Sequence, residues 1–242
     1  MATPTTARRM VFLPDVHVPY EDPRALGIAE AFIRDWKPHI VVAGGDWLST
    51  EQISKFPSDC PIDLLDEFQR AEQWLERLKV THYLMGNHEE RLSRPGLVPP
   101  NLRKLYDPVA NLHLHERGIQ WRPYDSERGV FRFGKLTALH GYATNQYAAR
   151  TTADQYGCCV FGHTHRMQTH QPKKARVAQT GFNVGCLCKL RLPYIKARPP
   201  TGWVQGFFFA YIFKSGNFSP HPVRLIGNEF VLDGKYYQRV AK

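Results

Sequence analysis

At 242 residues the chain is long enough for one large domain or two small ones around a sizeable core. Its 43% hydrophobic and 22% charged residues are ordinary for a soluble globular protein. No apolar run approaches the roughly 18 residues of a membrane span, and "MATPTTARRMVFLPD" lacks the h-region and small-residue cleavage site of a secretory signal. A cytoplasmic protein with no membrane association is therefore expected. The formal charge of +10 is unevenly placed: residues 1–169 carry 20 Lys+Arg against 20 Asp+Glu, whereas residues 170–242 carry 12 against 2. That asymmetry suits an anionic partner, nucleic acid or polyphosphate, and equally a solvated basic face or a partner subunit.

Arg9–Leu13 is a short apolar run closed by "PD", which predicts a buried strand ending in a turn. Asp22 as N-cap and Pro23 at the first helical position open an amphipathic helix to Trp36, with Leu26, Ile28, Ala29, Phe32 and Ile33 on its apolar side. His39–Asp46, "HIVVAGGD", predicts a second buried strand that breaks at a double glycine. Ile62–Leu78 predicts a second helix, and Thr81–Glu90, "THYLMGNHEE", a third strand ending in a turn. This β–α–β–α–β rhythm implies parallel strands joined by crossover helices.

From Ile119 the pattern changes. "IQWRPY", "GVFRFGKLTALHG", "GCCVFGH", "RMQTHQ", "QTGFNVG", "QGFFFAYIF" and "PVRLIGNEFVL" are strand-like pieces between Gly, Pro and Asn turns, with one helix expected over Asn145–Tyr156. The five cysteines, Cys60, Cys158, Cys159, Cys186 and Cys188, form no framework spacing. The Cys-x-Cys of "GCLCKL" suits a soft metal but has no second pair to complete a tetrahedral site, so buried, inert thiols are expected.

Several of these strands end in metal-ligand residue types. "LPDVH" gives Asp15 and His17, "GGD" gives Asp46, "GNHEE" gives Asn87, His88 and Glu89, "ALHGY" gives His140, and "VFGHTHR" gives His163 and His165. On a helix, residues i and i+2 point about 200° apart, whereas in an extended chain they share a side, so His163 and His165 can face one target. In an open α/β sheet ligands collect beyond the carboxyl ends of the strands. Each residue alone is an ordinary cap, turn or core residue. Together they are a nitrogen-and-oxygen donor set suited to Mn²⁺, Fe or Zn²⁺, without thiolates.

D-x-H, G-D, G-N-H-E, a lone H before Gly, and G-H-T-H, in this order from Val11 to Arg166, resemble the calcineurin-like metallophosphoesterase superfamily. The resemblance implies an α/β fold, a four-layer α-β-β-α sandwich of two mixed sheets with a two-metal site at the C-terminal ends of strands. It implies Asp15, His17 and His165 on one divalent ion, Asn87, His140 and His163 on a second, and Asp46 bridging both. A carboxylate has two oxygens for such a bridge. Manganese is the expected metal, with Fe, Zn, Ni and Mg also compatible. His88 is expected to protonate the leaving oxygen or to offset charge in the transition state. Glu89 either orients a histidine or simply favours a helix first turn.

Protein Ser/Thr phosphatases of the superfamily extend the second motif to G-D-x-x-D-R-G, whereas this chain reads "GDWLSTEQ", which weakens that reading. "LCKLRLPYIKARPPTGW", Leu187–Trp203, sets Lys189, Arg191, Lys196 and Arg198 among Tyr194 and Trp203, the mixture of cations and aromatic faces that single-strand binding uses. Arg91, Arg94, Arg166 and Tyr142 stand beside the motifs as further substrate contacts or as plain rim residues. One domain over residues 1–242 is expected, with residues 170–242 completing the second sheet and offering substrate surface. Its length and general look are similar to compact phage or bacterial phosphoesterases of DNA metabolism. The expected activity is hydrolysis of phosphodiester bonds in nucleic acid. The alternatives are a phosphomonoesterase for nucleotides or phosphoproteins, and a nucleic-acid-binding protein with a vestigial metal site.

Overall fold

The computed structural model describes residues 7–55, 60–172, 179–192 and 201–238. Four parallel strands, β1 (Ala7–Leu13), β2 (Ile40–Ala43), β3 (His82–Leu84) and β4 (Gln120–Arg122), lie side by side. Between them run α1 (Pro23–Trp36) and α2 (Leu64–Arg77). Asp22 caps α1 through the Arg24 and Ala25 N–H groups, and Asp63 caps α2 through Asp66 N–H. The buried stripe of α1 is Ala25, Leu26, Ile28, Ala29, Phe32 and Ile33, as its periodicity predicts. A second sheet runs β5 (Val130–Phe133), β6 (Leu136–Leu139), β7 (Cys159–Phe161), β9 (Gly181–Val184) and β8 (Met167–His170), with β6, β7 and β9 parallel. Before β7 comes α4 (Ala148–Tyr156).

The two sheets face each other across one apolar cluster. Met10, Phe12, Ile40, Val42 and Leu84 from the first sheet meet Phe131, Leu136, Ala138, Val160 and Val184 from the second. The alternate residues Val11, Leu13, Val41 and Ala43 pack outward on α1 and α2, and Leu139, Cys159 and Phe161 pack outward on α4. The result is a four-layer α-β-β-α sandwich of two mixed sheets, as the motifs imply.

The C-terminal third takes a different place from the one expected. β10 (Gly206–Phe213) pairs antiparallel with β1, and β11 (Phe218–Arg224) pairs with β10, so both extend the first sheet. Of residues 170–242, β9 and the last residue of β8 contribute to the second. The reason lies in "GFFFAYIF", which is apolar on both faces and needs cover on both. Phe207 and Phe209 join the outer cluster under α1, while Phe208, Ala210 and Ile212 join the cluster between the sheets. "PVRLIGNEFVL" is two strands, not one. β11 ends at Arg224, and a turn with Gly227 and Asn228 at positive φ leads to β12 (Glu229–Leu232), which forms a hairpin with β13 (Lys235–Gln238). Phe230 and Tyr237 of that hairpin pack on Phe32 of α1.

Candidate metal centre

The ligand-type residues sit just beyond the C-terminal ends of β1, β2, β3, β6 and β7, where parallel strands of both sheets end on the same rim. The chain turns sharply there. Asp15 (φ 43°), His17 (51°), Asp46 (47°), His163 (66°) and His165 (56°) all lie in the left-handed region, which non-glycine residues enter at a cost of order 1–3 kcal/mol each. Such strain persists only where surrounding contacts fix it. Here the fixing contacts cross between strands: His163 N–H donates to both Asp15 oxygens (3.0 and 2.9 Å), and His17 N–H donates to Asp46 O (3.0 Å).

Glycines make these approaches possible. A Cβ on Gly86 would stand 2.1 Å from Asp46 Oδ1, one on Gly162 1.8 Å from Asp15 Oδ2, and one on Gly45 2.6 Å from His140 Nδ1.

Two groups of donors result. In the first, His165 Nε2 is 3.2 Å from Asp15 Oδ1 and 3.1 Å from His17 Nε2, and His17 Nε2 is 3.8 Å from Asp46 Oδ2. In the second, His140 Nε2 is 3.3 Å from Asp46 Oδ2, 3.2 Å from Asn87 Oδ1 and 3.1 Å from His163 Nδ1. An ion bound at about 2.0–2.2 Å holds its ligand atoms about 3.4 Å apart, so the donor spacing fits one cation per group. His17 Nδ1 is buried with no hydrogen-bond partner, and two imidazole nitrogens facing each other at 3.1 Å need a proton or a cation between them. The donor chemistry and geometry thus fit metal ions.

Asp46 belongs to both groups through one oxygen. Oδ1 accepts the His88 N–H (2.9 Å), leaving Oδ2 to face His17 and His140 together. Burial opposes ionisation of Asp46, yet His140, His88 and His17 outweigh it and hold the carboxyl well below the usual range. Burial likewise opposes a charged His140, but Asp46 outweighs it and pushes the imidazole up to about 10.

Glu89 has a role that its sequence position conceals. It lies in the short helix α3 (Asn87–Glu90), fully buried. Its carboxylate accepts the N–H groups of Asp46 (3.0 Å), Trp47 (2.7 Å), Leu48 (3.0 Å) and Gly86 (2.8 Å) and the Tyr83 hydroxyl (2.9 Å). It orients no histidine; it clamps the loop that carries Asp46. Glu67 of α2 continues the clamp by accepting Ser49 N–H (2.6 Å) and Thr50 N–H (2.8 Å), and burial pushes its carboxyl up to about 7. An acidic residue in a helix first turn resembles dipole complementation, so sequence alone had no signal for either clamp.

The flanking residues divide. His88 Nδ1 lies 2.6 Å from Ser49 O, and its Nε2 is 3.0 Å from an Arg91 guanidinium nitrogen and 3.8 Å from Asp46 Oδ2. Arg91 therefore reaches the rim, while Arg94 is tied to Glu90. Tyr142 stacks between Tyr124 and Tyr156, its hydroxyl buried beside Gly129. It presents no hydroxyl at the rim. Tyr124, not singled out from the sequence, lies closer, 5.7 Å from the His140 ring. Arg166 is half-buried, Lys189 and Arg191 are exposed, and Tyr194, Lys196 and Arg198 lie outside the described residues. No described helix is long and apolar enough to cross a membrane.

No protein-family model matches the chain, and no curated protein sequence matches it. Solved structures do. Vacuolar protein sorting 29 from Cryptosporidium parvum superposes with a TM-score of 0.50 at 14% identity, over 96% of this chain and 95% of that one. An archaeal phosphodiesterase (TM-score 0.44, 12% identity, 89% of this chain and 99% of that one) and the phosphoesterase Yfce from E. coli (0.42, 14%, 88% and 98%) also align. The layered sheets and the superposition with vacuolar protein sorting 29 show that this chain shares the fold of that protein.

Proposed function

We propose that the chain is a metal-dependent phosphoesterase that hydrolyses phosphodiester bonds, with nucleic acid as its substrate. The observation that carries the reading is the pair of donor groups joined through Asp46 Oδ2. Asp15, His17 and His165 would hold one divalent ion, Asn87, His140 and His163 a second, and Asp46 both, with Mn²⁺ the favoured metal. When bound, such ions acidify water and offset charge on the phosphoryl oxygens. The protein's own part is placement. Glu89 and Glu67 fix the backbone that aims Asp46, and the Asp15 carboxylate fixes the His163 backbone.

His88 handles the proton. Ser49 O takes the Nδ1–H, which leaves Nε2 to face the cleft and deliver a proton to the leaving oxygen. Burial and the neighbouring Arg91 lower the His88 imidazole against the pull of Asp46. Nε2 would therefore take up that proton from solvent only once Arg91 turns to a substrate phosphate and the phosphate's negative charge stands beside the ring. The choice of nucleic acid is supported by the basic excess of residues 170–242 and by exposed Lys189 and Arg191. The test is turnover of bis-p-nitrophenyl phosphate, p-nitrophenyl phosphate and single- and double-stranded DNA with Mn²⁺. Faster diester than monoester cleavage, with DNA cut, is expected. Preference for the monoester would move the chain to the nucleotide or phosphoprotein phosphatases, and inertness toward all would overturn the reading.

A further inference from the structure

His165 has two ring nitrogens, and the centre just described uses one. Its Nε2 faces Asp15 and His17, while its Nδ1 points the opposite way, toward Cys188 Sγ at 4.0 Å. Beyond β9 the chain turns at Gly185 (φ 80°) and passes through Cys186, Leu187 and Cys188, where Cys186 bridges to Gln205 and Cys188 to Glu21. Leu187 packs in the outer core cluster, and the two thiols turn together toward His165. Both cysteines are fully buried, His165 is 4% exposed, and the three donor atoms lie within 4.8 Å of one another. The sequence lacked a second pair of donors for this Cys-x-Cys; the fold supplies an imidazole.

The structure assigns to Cys186, Cys188 and His165 Nδ1 a second kind of metal site, for one thiophilic divalent cation of the Zn²⁺ class, placed directly behind the phosphoesterase centre. Two thiolates and an imidazole are soft donors, unlike the carboxylate-rich groups in front. A tetrahedral ion with bonds of about 2.0–2.3 Å spaces its ligands about 3.4–3.8 Å apart, close to the 4.0 Å between Cys188 Sγ and His165 Nδ1. Both thiols release their protons on binding. Their two negative charges then balance the ion, so no net charge is buried. The Trp203 ring, edge-on to His165 at 4.1 Å, and the Gln205 side chain, which donates to Cys188 O (3.0 Å), hold the pocket in place.

Occupation has a consequence for the front centre, which rests on the phosphoesterase reading. A neutral imidazole bound through Nδ1 carries its proton on Nε2, so it cannot also offer Nε2 beside Asp15. The soft ion therefore competes with one of the two hard ions for His165.

The test uses the full-length, reduced, metal-free protein titrated with Cd²⁺. Thiolate-to-cadmium absorption saturating at one equivalent is expected. The band is lost in Cys186→Ser and in Cys188→Ser, and kept in Cys60→Ser/Cys158→Ser, with circular dichroism confirming that each variant is folded. Absence of the band in the folded wild type, which needs no variant, overturns the site, as does its survival in both serine variants. Electron paramagnetic resonance of bound Mn²⁺ tests the competition. Wild-type protein should lose one of two Mn²⁺ ions on Cd²⁺ addition, and Cys186→Ser should keep both. Equal loss in the two proteins means Cd²⁺ displaces Mn²⁺ at the hard donors themselves and overturns the competition. No Mn²⁺ binding without Cd²⁺ counts against the phosphoesterase centre and leaves the cadmium band to decide the soft site.

Discussion

The rim of strand ends and the basic C-terminal third are built on opposite terms. At the rim, charge is buried, crowded and fixed: two carboxylates and four imidazoles converge within hydrogen-bond distances, on backbone held by further carboxylates. In residues 170–242 lies the whole net charge of the chain, and its described cations, such as Lys189 and Arg191, stand in solvent. Buried charges interact strongly and depend on one partner each, whereas exposed charges act together and are screened by salt. The first region fixes its atoms in place; the second sets up a diffuse positive field that salt can screen.

That contrast breaks most sharply at Asp46. Asp46→Asn removes the negative charge that both donor groups share, and turnover with Mn²⁺ should fall about 10³-fold, equivalent to about 4 kcal/mol of transition-state stabilisation. Near-wild-type turnover of bis-p-nitrophenyl phosphate would remove Asp46 from the centre. Next comes the clamp. Glu89→Ala leaves four buried N–H groups and the Tyr83 hydroxyl without their acceptor, and should cost about 3 kcal/mol in urea unfolding.

Glu67 gives a comparable but pH-dependent effect. Its carboxyl rises from 4.5 to about 7 on folding, so the folded chain holds a proton there that the unfolded chain has released. The associated stability is present below about pH 4.5 and is lost as pH rises to about 7, a span of about 3 kcal/mol at most. Glu67→Gln should flatten that part of the unfolding profile between pH 5 and 7.5; an unchanged slope would place the proton elsewhere.

The smallest effects belong to the exposed region. Lys189→Ala with Arg191→Ala should lower the salt slope of single-strand DNA binding by about 1.4, or about 0.7 per lost phosphate contact, as read by fluorescence anisotropy. A slope that does not change would take these two residues off the substrate surface.

The sequence discloses the two regions unequally. The rim residues are legible because His, Asp and Asn interrupt apolar runs just where a strand must turn. Their left-handed φ values are invisible in the letters, since Asp and His enter that region more often than most residues but still in a small minority of cases. Glu89 and Glu67 look like ordinary first-turn acids, and only the fold shows the loop amides aimed at them. "FSPHP" of β11 escapes a strand reading because Pro220 and Pro222 cannot donate to a ladder. The strand exists because it lies at the edge of the sheet, paired on one side with β10. The destination of β10 is likewise decided by which face needs cover, not by order in the chain.

The glycines of the rim couple motifs that are far apart in the chain. The space beside Gly162 is filled by Asp15, that beside Gly86 by Asp46, and that beside Gly45 by His140. A methyl group at any of these positions would be felt first by a carboxylate or imidazole from another strand end. A substitution in one signature is thus a substitution in the geometry of another: the first signature answers to the fifth, and the second to the third and fourth.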